Sequence, residues 1–206
     1  ASVACAQNSP SHPVRIVTSG VGGGNDFVAR LVAQGFTVAM GQHVIVENRA
    51  SGVQPGDVVA KAVADGYTLL VGSGGLWLLP LMQPAPTKIL QDIAPISLLA
   101  RAPVILVVHP SVAATSVKEL VALAKAKPGV LNYSTGATGS TSHLAPEVFK
   151  SMAGVNMVRI PYKSGASEIA DLIGGQVQLT FGTAASVMPH VKSGKHDGCG
   201  FKVQQV

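Results

Sequence analysis

The sequence predicts an α/β fold built as two lobes around a cleft, and three observations carry that prediction. Strand-like apolar runs alternate with helix-like stretches along the chain, the pattern of helices layered on mostly parallel sheets. A strand, a glycine-rich loop and a helix start occur together twice, at Val14–Val32 and again at Leu131–Met152. Between these units the chain changes character near Ile96, as a crossover from one lobe to the next would. A chain of 206 residues can hold one large or two small domains. We therefore expect a flexible leader over 1–13, lobe 1 over 14–100, lobe 2 over 101–195 and a tail over 196–206.

In lobe 1, Val14, Ile16 and Val17 read as a strand, and four glycines within Gly20–Gly24 follow it. Asn25 or Asp26 is placed to cap a helix whose apolar residues Phe27, Val28, Leu31, Val32 and Phe36 share a face. Gly41 stops that helix, Val44–Val46 reads as a strand, and 47–52 as a polar loop. Asp57–Val63 has helical spacing and ends at the Asp65-Gly66 turn. Tyr67–Val71 is a continuous apolar run, as in parallel strands covered on both faces, and it enters a Gly72-Ser73-Gly74-Gly75 turn.

Ile96–Leu99 and Val104–Val108 are two further strand-like runs, with a hinge expected near 101–105. Ser116 caps a helix through Lys127, which Pro128-Gly129 stops. Leu131–Ser134 reads as a strand, the loop 135–142 is rich in glycine and hydroxyls, and His143–Met152 reads as a helix. Val155–Tyr162 is a strand, Ser167 caps a helix through Ile173, Val177–Phe181 is a strand and Ala184–Lys192 a final helix. From Gly194 onward no pattern is evident.

Composition narrows the function. Hydrophobic residues make up 47% and charged residues 12%, which describes a packed globular chain and argues against disorder. The formal charge of +5 comes from scattered lysines without interleaved aromatics, so no nucleic-acid face is expected. Gly66–Thr87 carries no charge, but Pro80, Pro84, Pro86 and the glycine turn interrupt it too often for a spanning helix. The six histidines show no HxxxH or HxH pair and the two cysteines no CxxC, so neither a metal nor a cofactor is expected. Ala4-Cys5-Ala6 fits a signal-peptide cleavage motif; a lipidated Cys5 and an ordinary flexible terminus are the alternatives. In an exported chain Cys5 and Cys199 could pair.

The chemistry lies in the two loops. Bare amides beside a helix N-terminus attract anions, because the unpaired donors and the helix dipole point the same way. Two such loops facing one cleft suit a small molecule with two separated acidic groups. Neutral donors hold a carboxylate without burying a cation. The expected ligand residues are Gly22, Gly23, Gly24 and Asp26 (the last mainly shaping its loop), with Ser134, Thr135, Gly136, Ser140 and Thr141 opposite and Ser73 and Gly74 as the floor. Enzyme signatures such as G-x-S-x-G and HExxH are absent. Ser134, Ser140 and His143 could form a nucleophile and base, the alternative being an α/β enzyme acting on a carboxylated or phosphorylated small molecule. Helix capping is the plainer account of these residues.

Gly22–Asp26, Val44–Arg49, Val59–Ala62, Asp65–Leu70, Ser116–Leu120, Lys127–Tyr133, Ser142–Ala145, Pro161–Lys163 and Gly174–Val177 together resemble the substrate-binding proteins of tripartite tricarboxylate transporters, the Bug family. The match runs from about Pro13 to Lys195. The resemblance implies a type II periplasmic-binding-protein fold and a periplasmic, monomeric carrier. It implies delivery of a small carboxylate to membrane transporter subunits, with both glycine loops holding the ligand through amides, hydroxyls and bridging water. Four departures stand out. Ser19-Gly20-Val21 replaces a proline-rich lead-in. Leu76–Leu79 is apolar where relatives are often polar, which fits either an apolar ligand body or a repacked core. Phe181-Gly182-Thr183 lacks the usual aspartate-asparagine pair. The family chain also continues past Lys195 to complete the first lobe, so lobe 1 is expected to lack part of its sheet and its covering helices.

Overall fold

The computed structural model describes residues 10–49, 54–82, 88–192 and 202–204. The expected leader motif, Cys5, Cys199 and the turn residues 50–53 lie outside the described residues, apart from Pro10–Pro13 of the leader. Element order is β1 (Val14–Thr18), α1 (Gly24–Met40), β2 (Val44–Asn48), α2 (Pro55–Ala60), β3 (Thr68–Leu70), α3 (Gly75–Met82), α4 (Ile89–Asp92), β4 (Val104–Val108), α5 (Val117–Ala126), β5 (Asn132–Thr135), α6 (Thr141–Ala153), β6 (Val158–Pro161), α7 (Gly165–Ile173), β7 (Leu179–Thr183), α8 (Ala184–Lys192) and β8 (Lys202–Gln204).

These strands form two sheets. The first is a parallel three-stranded sheet in the order β2-β1-β3. The second has five strands in the order β6-β5-β7-β4-β8. Its β5 runs parallel to β6 and β7, while β4 is antiparallel to both β7 and β8. The second sheet is therefore mixed rather than mostly parallel. Lys202–Gln204, in the tail where no pattern was evident, pairs with Leu106–Val108 as an edge strand. Ile96–Leu99 forms no strand; the chain passes between the sheets as irregular structure over 93–103.

Alternation within the strands assigns the second sheet's two faces. Leu106, Val108, Tyr133, Leu179 and Phe181 pack with Leu120 and Ala124 of α5 on one face. Val107 packs with Ile169 and Leu172 of α7 and Val187 of α8 on the other. Helices on both faces seal this sheet, which explains its larger core. The first sheet holds a smaller cluster, Ile16, Ala29, Ala33 and Val71.

Helix α1 departs from expectation in two ways. Its buried residues are Asp26, Ala29 and Ala33, whereas Phe27 and Leu31 are 48% and 54% exposed. Close packing of α1 on β1 selects small side chains, which a hydrophobic period does not rank. Neither Asn25 nor Asp26 caps it; Gly23 is the N-cap and supplies no side-chain bond. By contrast Ser116 caps α5 as expected, accepting from the Glu119 amide. Helix α7 begins earlier than expected because Ser164 is its cap, accepting from the Ser167 amide. Trp77 and Leu78 of α3 are exposed, so a repacked core does not account for that apolar turn. No helix among the described residues is long and apolar enough to cross a membrane.

Candidate functional site

The carboxyl ends of the strands in both sheets turn into glycine loops, and those loops meet. A Cβ on Gly20 would lie 2.7 Å from the Lys163 carbonyl oxygen, and one on Gly165 only 2.8 Å from the Gly22 carbonyl. The Ala166 amide donates to the Val21 carbonyl at 3.4 Å. A Cβ on Gly24 would lie 2.6 Å from the Thr183 hydroxyl oxygen, and one on Gly75 would lie 3.0 Å from the Gly139 carbonyl carbon. Gly20, Gly75 and Gly165 therefore allow close approach between backbones from different sheets, and Gly24 leaves room for the Thr183 side chain.

The first loop is held from within by Asp26. This residue is 4% exposed; its Oδ2 accepts from the Gly22 amide at 3.0 Å and its Oδ1 from Asn48 Nδ2 at 2.8 Å. Arg30 Nε adds an ion pair at 3.0 Å. Burial alone would raise the Asp26 carboxyl, but the Gly22 amide, Asn48 and Arg30 outweigh it and hold it below the usual aspartate value. Gly22 sits at φ +80°, where a side chain is strained, so the turn needs glycine and its amide is committed to Asp26. Gly23 and Gly24 then open α1, whose first amides have no intrahelical acceptor.

The second loop is held by hydroxyls. The Gly136 amide donates to Ser142 Oγ at 2.9 Å, and Ser142 Oγ lies 3.1 Å from Ser140 Oγ. Ser140 is the N-cap of α6 without a side-chain cap bond, and Thr141 begins the helix exposed. Ser134 and Thr135 are fully buried behind this surface. Ser134 donates to Glu168 Oε1 at 3.1 Å, and Thr135 accepts from Arg159 Nε at 2.9 Å. The floor residues act through carbonyls: Ser73 accepts from the Leu76 amide, and Gly74 from those of Trp77 and Leu78, opening α3.

The nucleophile–base arrangement is not assembled. His143 is 7% exposed and its Nδ1 accepts from the Gly139 amide at 3.1 Å, away from Ser134 and Ser140. Burial, with Arg159 next, pushes its imidazole below the usual value. A neutral ring bonded to the loop backbone is a brace for that loop.

Three contributors escaped sequence reading: Gly165 at the start of α7, Thr183 at the end of β7 and the buried Glu168. The first two meet the loop only in space. A cavity of about 260 Å³ lies at the opposite end of β1, between Pro10, Val14, Met40 and Tyr67, away from all these loops.

Two α/β units that bring strand-end glycine loops and helix N-termini into contact define a two-lobed binding-protein architecture. Comparisons with known proteins agree. The family model described as tripartite tricarboxylate transporter family receptor matches residues 28–204. The chain belongs to that family. It is 37% identical to protein BugT of Bordetella pertussis over 195 residues, covering 92% of this chain and 60% of that protein. A second Bordetella pertussis protein, of the UPF0065 group, is 37% identical and covers 97% of this chain and 63% of its own length. Among solved structures, one described as a periplasmic transporter superposes with a TM-score of 0.87 at 30% identity, covering 95% of this chain and 66% of that one. Rpa4515 of R. palustris, solved with adipate, gives 0.80 at 32%, again covering 95% and 66%. The periplasmic binding protein BugD gives 0.80 at 27%, covering 95% and 65%. The chain thus spans about 60% of the length of the curated relatives it matches.

Proposed function

We propose that the protein is a periplasmic solute-binding protein that captures a small carboxylate and delivers it to the membrane subunits of a tripartite tricarboxylate-type transporter. The observation that carries this reading is the meeting of glycine loops from both lobes beside the N-termini of α1, α6 and α7. Amides and hydroxyls at such a seam hold a carboxylate without a buried cation, which permits release as well as capture. Gly23 and Gly24 present the α1 amides, and Gly136, Ser140 and Thr141 present the α6 surface. Ser73 and Gly74 form the floor. Gly22 and Asp26 shape the first loop, while Ser134 and Thr135 support the second from behind. Lobes that hinge near 101–105 would close over the ligand and create the surface a transporter recognises. Family membership and the adipate complex of Rpa4515 support the ligand class.

The test is a thermal-shift screen against mono-, di- and tricarboxylates and acidic amino acids. A ligand at one hundred times its dissociation constant adds about 2.7 kcal/mol. For a chain of this size that is roughly 5–10 °C in Tm. A shift confined to one class of acids is expected. Flat melts across the whole screen would refute the reading, and conversion of a ligand to product would favour the enzyme alternative.

A further inference from the structure

The proposed carboxylate seam contains one acid that the reading above does not use. Glu168 stands in the first turn of α7, just behind the Gly165 and Ala166 backbone that touches the first loop. It is 7% exposed. Its Oε1 accepts two hydroxyl bonds, from Ser134 at 3.1 Å and Thr180 at 2.5 Å. Ser134 and Thr180 are register partners on the parallel strands β5 and β7, so their hydroxyls emerge side by side on the α7 face of the sheet. Both are themselves fully buried.

Among the described residues Oε2 accepts no hydrogen bond. Nor is it sealed in, because among the described residues Arg49 Nε is the one side-chain polar atom that is both enclosed and unpartnered. Glu168 forms no ion pair with any described lysine, arginine or histidine. A carboxylate buried this deeply is ordinarily paired, since burying a lone charge is costly. Here one oxygen is fixed by two hydroxyls and the other has no partner among the described residues, in the first turn of the helix whose N-terminus meets the first loop. Burial pushes the Glu168 carboxyl upward, and its two hydroxyl partners only partly offset this.

We propose that Glu168 is a specificity-determining residue whose open Oε2 accepts from an ammonium group of the ligand, so that the protein selects small acids that also carry an amine. The inference rests on the carboxylate-carrier reading. The amides and hydroxyls of the seam take the ligand's carboxylate; Glu168 supplies the matching acceptor for a cationic donor. The plain diacid of the same length carries the same two carboxylates but sets a methylene where the amino acid sets its ammonium, and so leaves the buried Glu168 charge uncompensated. Such a mismatch is how a buried charge rejects an isostere.

Matched pairs test this: glutamate against glutarate and aspartate against succinate, titrated calorimetrically into the wild-type protein and Glu168→Gln. Wild type should prefer the amino acid of at least one pair by tenfold or more. Glu168→Gln, which keeps an acceptor oxygen for Ser134 and Thr180, should lose that preference by weakening the amino acid while sparing or strengthening the diacid. Tighter wild-type binding of the diacids would overturn the inference and leave the carrier reading intact. Equal weakening of both members by Glu168→Gln would assign the residue a supporting role and also overturn it. If the variant fails to fold, the wild-type preference decides alone. Binding of neither member at millimolar concentration overturns the inference, and the wider carboxylate screen then decides the carrier reading separately.

Discussion

Gly165→Ala isolates the contact between the lobes. Gly165 begins α7 and is not among the glycines with positive φ, so alanine fits its backbone and favours the helix. The added Cβ would stand 2.8 Å from both the Gly22 carbonyl carbon and oxygen and 2.9 Å from the Gly23 amide nitrogen. Ordinary contact begins near 3.4 Å, so the first loop must retreat by roughly half an ångström or more. All three atoms are backbone, and the Gly22 turn is fixed by Asp26, so no rotamer change relieves the clash. Overpacking of this kind costs about 1–3 kcal/mol. Charged to the closed arrangement alone, that weakens ligand binding by about 5- to 150-fold. Calorimetric titration with the acid found in the screen measures the loss, and the Tm without ligand should stay within about 2 °C of wild type. A lowered Tm with unchanged affinity would refute the reasoning, because the contact would then belong to a fixed core instead of a surface that parts and closes.

Other substitutions separate the parts of the site. Gly23 has extended backbone and its nearest Cβ neighbour is the Gly20 carbonyl at 3.5 Å, so Gly23→Val should melt like wild type yet lose the ligand by screening the α1 amides; retained affinity would remove that loop from the site. Asp26→Asn loses charge-assisted bonds to Gly22, Asn48 and Arg30 and should cost about 2 kcal/mol in a urea melt. Because the folded Asp26 titrates below its unfolded value, its contribution is present above about pH 4 and fades as pH falls through the folded value. The wild-type advantage over Asp26→Asn should shrink there. Glu168 has the opposite sign. Its folded value is raised, so the unpaired charge erodes stability as pH rises from about 4.3 through the folded value. Glu168→Gln should therefore gain Tm relative to wild type between pH 4.5 and 7.5; a constant difference across that range would contradict the burial argument.

What the sequence made legible was local. Ser116 and Pro128-Gly129 bound α5 because cap and stop lie within the helix's own neighbourhood. The glycine loops were legible because each turn needs its glycines at fixed offsets from the strand that feeds it. What escaped depended on partners distant in the chain. The large apolar residues of α1 suggested its inner face, yet Ala29 and Ala33 face β1 because the helix lies too close for Phe27 or Leu31. Three residues, Lys202–Gln204, are too few to show alternation, and only pairing with β4 makes them a strand. The antiparallel β4 has the same apolar composition as a parallel strand, so its direction was not readable.

The two buried acids show where such reading stops and physical accounting takes over. Asp26 and Glu168 each stand in the first turn of a helix, where the dipole favours an acid. In the structure Asp26 has an amide on one oxygen and a side-chain amide and guanidinium on the other, which completes its needs and makes it a strut for the Gly22 turn. Glu168 has two hydroxyls on one oxygen and, among the described residues, no donor on the other and no ion-pair partner. An acid serving only packing gains nothing from that asymmetry, since a glutamine or an apolar residue of similar size would fill the place without a buried charge. The asymmetry is useful if the missing donor arrives with the ligand. That difference in accounting, rather than position on the helix, separates the residue that builds the loop from the one we assign to ligand choice.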